Sequence, residues 1–121
     1  MNAGPLLSAF ERARLEANGQ TQAPVKGTIH EIDFEPVVRI CDQEEGRVWL
    51  LTEIDPAEPH KAWGLCLGDP ECPEPYMGSV DLKELAAVKD AGYLTVHPIL
   101  APEGPVSHYL FRAQARDTLE I

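Results

Sequence analysis

The sequence predicts an α+β fold, in which residues 1–121 form a single domain. We expect a mainly antiparallel sheet of about four to five strands, with N-terminal, middle and C-terminal helices packed on it. The 121 residues suffice for one hydrophobic core but not for two ordinary domains. The predicted order is helix, strands, helix, strand, helix, with the short connections of antiparallel strands. An apolar fraction of 44% and a charged fraction of 25% are typical of globular proteins.

The first helix is predicted over residues 5–18. Pro5 suits the first position of a helix, and apolar residues recur at helical spacing after it. Asn18 and Gly19 tolerate the left-handed conformation that ends many helices, so they predict the end of this one. The polar residues 20–28 then form a linker within the domain.

The sheet and helix core is predicted over residues 34–100. Its first strands are apolar runs bounded by turn residues: FEPVVRIC at 34–41, RVWLLTEI at 47–54 and AWGLCL at 62–67. The second run is almost continuously apolar, which indicates a central strand covered on both faces. Small residues line one side of the third run, so this side leaves room for a helix.

A short strand at 76–80 leads into the middle helix. Asp81 and Glu84 have the spacing of a capping box, and Val80 and Leu85 have that of a hydrophobic staple. These two patterns predict that the helix begins after Asp81.

The last part of the chain predicts one more strand and one more helix. Gly92 ends the middle helix, and LTVHPIL at 94–100 is typical of a strand broken by Pro98. The C-terminal helix is predicted over residues 107–118, after two prolines.

The formal net charge of −10 is concentrated in the middle of the chain. Residues 31–90 contain fifteen Asp and Glu against five Lys and Arg. Such a field repels phosphates, so we expect no direct binding of nucleic acid, and it attracts basic proteins or divalent cations. The alternative is an acidic face that only keeps the protein soluble.

The lack of a recognisable targeting signal and the cysteine count both predict a cytoplasmic protein. No segment approaches the ~18 apolar residues that a membrane span needs, so we expect no membrane contact. The N-terminal charges follow a brief apolar patch, the reverse of a signal peptide. Three cysteines, an odd number without a secretion signal, predict reduced thiols.

Residue types that could carry chemistry occur without the spacing of a known site. Cys66, Cys72, His60 and His97 are of types that bind zinc, but the close pairing of structural zinc sites is absent. The chain contains no G-x-S-x-G nucleophile elbow, no P-loop and no G-x-G-x-x-G. We therefore predict no cofactor and no catalytic residue, and favour a non-enzymatic role.

Four central segments carry a resemblance to a known family: WLLTEIDP at 49–56, AWGLC at 62–66, PEPYMG at 73–78 and VDLKEL at 80–85. They resemble the motifs of a widespread bacterial family of small proteins, known only as a domain of unknown function. Members of that family are often found on plasmids, phages and integrated elements. The resemblance implies an accessory role in a mobile element.

The charge and the resemblance together favour an acidic protein-binding or accessory domain, a mobile-element factor that binds or inhibits a basic nucleic-acid-handling protein. We expect its binding surface on six acidic residues: Glu53, Asp55, Glu58, Asp69, Glu71 and Glu74. The alternative is a small metal-dependent hydrolase that uses Glu53, Asp55 and Glu74 as ligands or bases. A homodimer formed through an exposed sheet edge or the Trp63 face is a third possibility.

Overall fold

Three α-helices and one five-stranded antiparallel sheet form the domain, in the residues that the computed structural model describes, 6–90 and 92–116. This α+β architecture confirms the predicted fold class. The elements are α1 Ala9–Gln22, β1 Val38–Asp42, β2 Arg47–Ile54, β3 Lys61–Leu67, β4 Tyr76–Asp81, α2 Leu82–Asp90, β5 Leu94–Pro98 and α3 Val106–Arg116. None of the described helices has the length and apolar character that a membrane span needs.

The strands are arranged in the order β4-β3-β2-β1-β5, and all neighbouring strands are antiparallel. The chain forms β1 to β4 as consecutive hairpins, and α2 then carries it from β4 to β5 at the opposite edge. Because successive strands alternate in direction, the β1–β2 turn and the β3–β4 loop share one end of the sheet. The β2–β3 loop lies at the other end.

Helices cover both faces of the sheet, so β2 is buried on both sides as predicted. Leu15 of α1 and Leu85 of α2 share one core with the small residues Ala62 and Cys66 of β3. The opposite face packs against α3, through residues such as Leu65. The small side of β3 therefore lies beneath helices, as its composition indicated.

Helix α1 begins and ends four residues later than the predicted 5–18, of which residue 5 lies outside the described residues. Ser8 caps it: its Oγ accepts a hydrogen bond from the N–H of Glu11 at 3.1 Å. Glu11 Oε1 accepts one in return from the N–H of Ser8 at 2.9 Å. This capping box is visible in the sequence as Ser8 followed three residues later by Glu11, and it sets the true start.

Asn18 and Gly19 lie inside α1, contrary to the prediction that they end it. Asn18 Nδ2 donates a hydrogen bond to the carbonyl oxygen of Thr52 at 2.9 Å. A Cβ added to Gly19 would lie 1.7 Å from the carbonyl oxygen of Ile54, so only glycine allows this close approach of helix and strand. The pairing of β2 with β3 shifts register between Leu51 and Glu53, which leaves Thr52 outside the ladder. Residues 20–22 of the predicted linker 20–28 therefore belong to α1.

The later boundaries follow the sequence more closely. Asp81 Oδ1 accepts a hydrogen bond from the N–H of Lys83 at 2.8 Å, so α2 begins where the capping pattern placed it. Gly92 follows α2 with a φ of 91°. Strand β5 stops at Pro98 rather than continuing to residue 100. Of the predicted C-terminal helix, residues 117 and 118 lie outside the described residues.

Candidate protein-binding surface

The six acidic residues expected to bind a partner are divided between opposite ends of β3. Glu53, Asp55 and Glu58 lie at the end of β2 and in the β2–β3 loop. The other three, Asp69, Glu71 and Glu74, lie in the β3–β4 loop. A strand of this length separates the two loops by about 20 Å. The structure therefore does not bring the six together on one surface.

Glu53 is an interior residue, contrary to its place on the predicted surface, and is only 6% exposed. Its Oε1 accepts hydrogen bonds from Gln22 Nε2 at 3.3 Å and Thr52 Oγ1 at 3.2 Å. Its Oε2 lies 3.4 Å from Lys26 Nζ, and that ammonium lies 3.7 Å from the ring centre of Trp63. Since every contact is internal, Glu53 anchors the end of α1 and the following turn to the sheet.

An acidic side chain of the β2–β3 loop also forms an ion pair within the protein. Glu58 Oε2 lies 2.8 Å from Lys61 Nζ, and this hydrogen bond raises the pKa of Lys61. With Glu53 paired to Lys26, two of the three acidic residues at this end have a basic partner. This end of the sheet thus offers little uncompensated charge.

The alternative hydrolase site is not assembled. Glu53 and Asp55 lie at one end of β3, and Glu74 lies at the other. Among the described residues, no group of three or more His, Cys, Asp or Glu is arranged to hold a metal ion. All three cysteines are free thiols. The geometry therefore gives no support to a reaction that needs those three carboxylates together.

Four aspartates at strand ends each close a turn by the same hydrogen bond. In each case Oδ1 accepts the backbone N–H two residues later, as in an Asx turn. The pairs are Asp42 with Glu44 at 2.9 Å, Asp55 with Ala57 at 2.9 Å, Asp69 with Glu71 at 2.9 Å and Asp81 with Lys83 at 2.8 Å. The aspartates of the loops, including the predicted Asp55 and Asp69, thus stabilise turns of the fold.

We call residues 42–47 and 68–75, which are the β1–β2 turn and the β3–β4 loop, the acidic end. These two segments contain six acidic residues and one basic residue. They are in direct contact, because a Cβ added to Gly68 would lie 2.5 Å from the carbonyl oxygen of Gly46. The contact joins their charges into one strongly negative region.

The one basic residue of the acidic end, Arg47, already has a partner. Its Nη2 lies 3.3 Å from Asp69 Oδ2, and its guanidinium lies 4.8 Å from the ring centre of Trp49. Tyr76 donates its hydroxyl to the same Asp69 oxygen at 2.8 Å. The N–H of Glu71 and the Tyr76 hydroxyl hold the pKa of Asp69 below its usual value, and the pKa of Tyr76 is raised in turn. The positive charge of Arg47 therefore compensates the charge of Asp69 and not the charges of the glutamates of the acidic end.

A groove of about 520 Å³ extends from the acidic end along α2. Apolar and aromatic side chains form its floor: Trp49, Cys66, Tyr76, Val80, Leu85 and Val88. Burial raises the pKa of the Cys66 thiol, so this part of the floor is uncharged. Glu44, Glu45, Asp81 and Glu84 form its rim, and the buried Asp42 and the paired Arg47 also line it. No described side chain forms an ion pair with the rim glutamates.

No pattern in the sequence indicated this groove directly. Glu44, Glu45 and Glu84 were not among the expected site residues, because the surface was expected on the loops after the second and third strands and Glu84 was interpreted as a helix-capping residue. Contact between the β1–β2 turn and the β3–β4 loop depends on the strand order, which sequence patterns leave open. The nearest available signal was the pair Glu44 and Glu45 inside a predicted hairpin turn.

Comparison with known proteins identifies the family of the chain. The model of the family described as a protein of unknown function, DUF2958, matches residues 6–120. Because the match covers almost the whole chain, the protein belongs to this family, as the motif resemblance implied. Searches of curated proteins and of solved structures found no significant match.

Proposed function

We propose that this member of the DUF2958 family is an acidic protein-binding domain, whose partner presents a basic segment to the acidic end and the adjoining groove. The observation that carries the proposal is the groove itself: an apolar floor beside a rim of glutamates that form no ion pair with any described side chain. An acidic face that only keeps the protein soluble requires charged residues but does not require an apolar groove beside them.

The groove offers a basic segment two kinds of interaction. Lys and Arg side chains can lay their apolar stems along the floor near Trp49 and Val88, while their charged groups reach the rim. Glu44, Glu45 and Glu84 surround the groove from two directions, so they favour a cationic partner and attract it during the encounter. Binding of this kind weakens as the ionic strength rises.

The same charge distribution favours one class of partner. Proteins that handle nucleic acids carry basic surfaces for phosphates, and a dense array of carboxylates can occupy such a surface in place of the phosphates. In the mobile-element setting that the motif resemblance implies, the domain would bind or inhibit a nucleic-acid-handling protein. Its own negative field opposes direct contact with DNA or RNA.

A charge-matched pair of variants tests the proposal. The groove variant combines Glu44→Gln, Glu45→Gln and Glu84→Gln. The control removes three acidic charges elsewhere on the domain, through Glu16→Gln, Glu35→Gln and Glu103→Gln. Both are titrated into a fluorescein-labelled peptide of alternating lysine and leucine, and binding is followed by fluorescence anisotropy at low and at moderate salt.

The two variants have the same net charge, so the comparison separates a site from a general field. Three solvent-exposed charge interactions of about 0.5 kcal/mol each predict that the groove variant binds about tenfold more weakly. The control should bind nearly as well as the wild type. Equal weakening in both variants would mean that net charge alone attracts the peptide, and would refute a site at the groove.

A further inference from the structure

Strand β4 has one side without a partner strand. It is the last strand of the sheet and, within residues 6–90 and 92–116, is hydrogen-bonded only to β3. Alternate backbone N–H and C=O groups of β4 therefore point away from the sheet. Ser79 in its middle is exposed.

Residues 76–80 of this edge lack the features that usually prevent strand pairing. Natural edge strands are protected by charged residues, proline or a bulge. Residues 76–80 (YMGSV) contain no charge and no proline, and their pairing with β3 is regular. The opposite edge differs, because β5 ends in Pro98 and α2 packs against it. Of the two edges, β4 is the one available for pairing.

Acidic residues flank β4 at both ends. Glu71 and Glu74 precede it in the β3–β4 loop, Asp81 is its last residue, and Glu84 lies in the first turn of α2. Between these pairs lies a neutral segment about 17 Å long. The edge thus has the order acidic, neutral, acidic, and complementary charge requires a segment with the order basic, neutral, basic.

A second copy of the chain does not fit this edge. Two β4 strands paired antiparallel with Met77 of one copy opposite Gly78 of the other would place Glu74 of each copy opposite Asp81 of the other. These like charges would repel each other at both ends of the pair. Like charges placed opposite each other destabilise strand pairing, so the charge pattern disfavours self-association.

We infer that the basic segment of the partner binds as an added strand on β4, with its basic ends against the two acidic pairs. This inference rests on the proposed function and specifies its mode. Backbone hydrogen bonds to β4 supply affinity, as in other cases of strand addition. Side chains on one face of the added strand point toward the groove, since β4 contributes Tyr76 and Val80 to its floor.

Backbone methylation of a synthetic peptide tests the mode without altering the protein. The probe has two lysines at each end of a stretch of alternating valine and threonine. Two further versions carry N-methyl groups on alternate central residues, one version for each edge of the strand. Charge and side chains are the same in all three, and affinity is measured by fluorescence anisotropy.

We expect the two methylated peptides to differ by about tenfold or more, because only one of them loses the hydrogen bonds to β4. Hydrogen exchange of the protein should slow at alternate amides of β4 when the unmethylated peptide binds. If all three peptides bind equally, strand addition is refuted, while salt-sensitive binding to the acidic groove remains. If even the unmethylated peptide fails to bind, the proposed function is refuted together with the mode. A stable dimer with β4 amides protected in the absence of peptide would show that a second copy occupies the edge, and would overturn the inference.

Discussion

Replacing Gly19 by alanine gives the sharpest test of how α1 is docked on the sheet. Alanine favours helix over glycine by about 1 kcal/mol, so the substitution would stabilise an unconstrained helix. In the structure, however, the added Cβ would lie 1.7 Å from the carbonyl oxygen of Ile54. Close carbon–oxygen contacts lie at about 3.3 Å, so α1 has to withdraw from β2 by roughly 1.5 Å. The obstructing atom belongs to the backbone and cannot rotate away.

The expected net effect is a loss of stability. Overpacking of a buried contact costs about 1–3 kcal/mol. Withdrawal of the helix also breaks the 2.9 Å hydrogen bond from Asn18 to Thr52, which costs about 1 kcal/mol more. After the gain in helix propensity is subtracted, Gly19→Ala should lower the free energy of unfolding by about 1–3 kcal/mol. For a domain of this size, that corresponds to a fall in Tm of about 4–12 °C.

Urea denaturation followed by circular dichroism measures this change, together with a thermal melt. The control is Gln20→Ala, an exposed position of the same helix, where the free energy of unfolding should change by less than about 0.5 kcal/mol. A higher Tm for Gly19→Ala than for the wild type would show that helix propensity decides the outcome. That result would contradict the close contact between Gly19 of α1 and Ile54 of β2.

Three further substitutions test local interactions. Asp81→Ala removes the cap of α2 and should lower the free energy of unfolding by about 1 kcal/mol in urea denaturation, with no change if the helix start is held by other contacts. Folding lowers the pKa of Asp69, so its ionised carboxylate stabilises the fold at pH values above the unfolded pKa of about 3.9. This contribution to stability is lost as the pH falls through the folded pKa of Asp69. Tyr76→Phe should therefore raise the pKa of Asp69 in an NMR titration and move this loss to higher pH; an unchanged pKa contradicts the hydrogen bond. Lys26→Met leaves the buried carboxylate of Glu53 without its cation and should lower the free energy of unfolding by about 1–3 kcal/mol, much of which the added change Glu53→Gln should restore. Failure of the second change to restore stability would mean that Lys26 acts by packing alone.

Sequence patterns predicted the elements of this fold well where the signal was local. The apolar run at 47–54 coincides with β2, and the cap at Asp81 with the start of α2. The error at Asn18 and Gly19 has a clear physical cause. Glycine serves both in the left-handed conformation at helix ends and where two backbones meet closely, and only the neighbouring strand distinguishes the two roles. That strand is more than thirty residues away in the chain.

The candidate surface was less predictable, because it depends on which acidic residues the fold itself uses. Sequence alone treated Glu53 and Asp69 as equivalent to Glu71 and Glu74. The structure shows that Glu53 is buried beside Lys26 and that Asp69 closes a turn and binds Arg47. Hydrogen bonds of this kind depend on tertiary contacts, so composition and spacing do not reveal them.

NMR titration of the isotopically labelled domain with the peptide of alternating lysine and leucine tests the central claim most directly. Binding at the acidic end predicts that the amide signals of residues 42–47, 68–75 and α2 shift together, and that added salt reverses the shifts. Signals from the β2–β3 loop should shift less than those of the acidic end, because Glu58 is already paired with Lys61. Shifts centred on that loop, or small shifts spread over every exposed acidic residue, would contradict a basic partner bound at the acidic end.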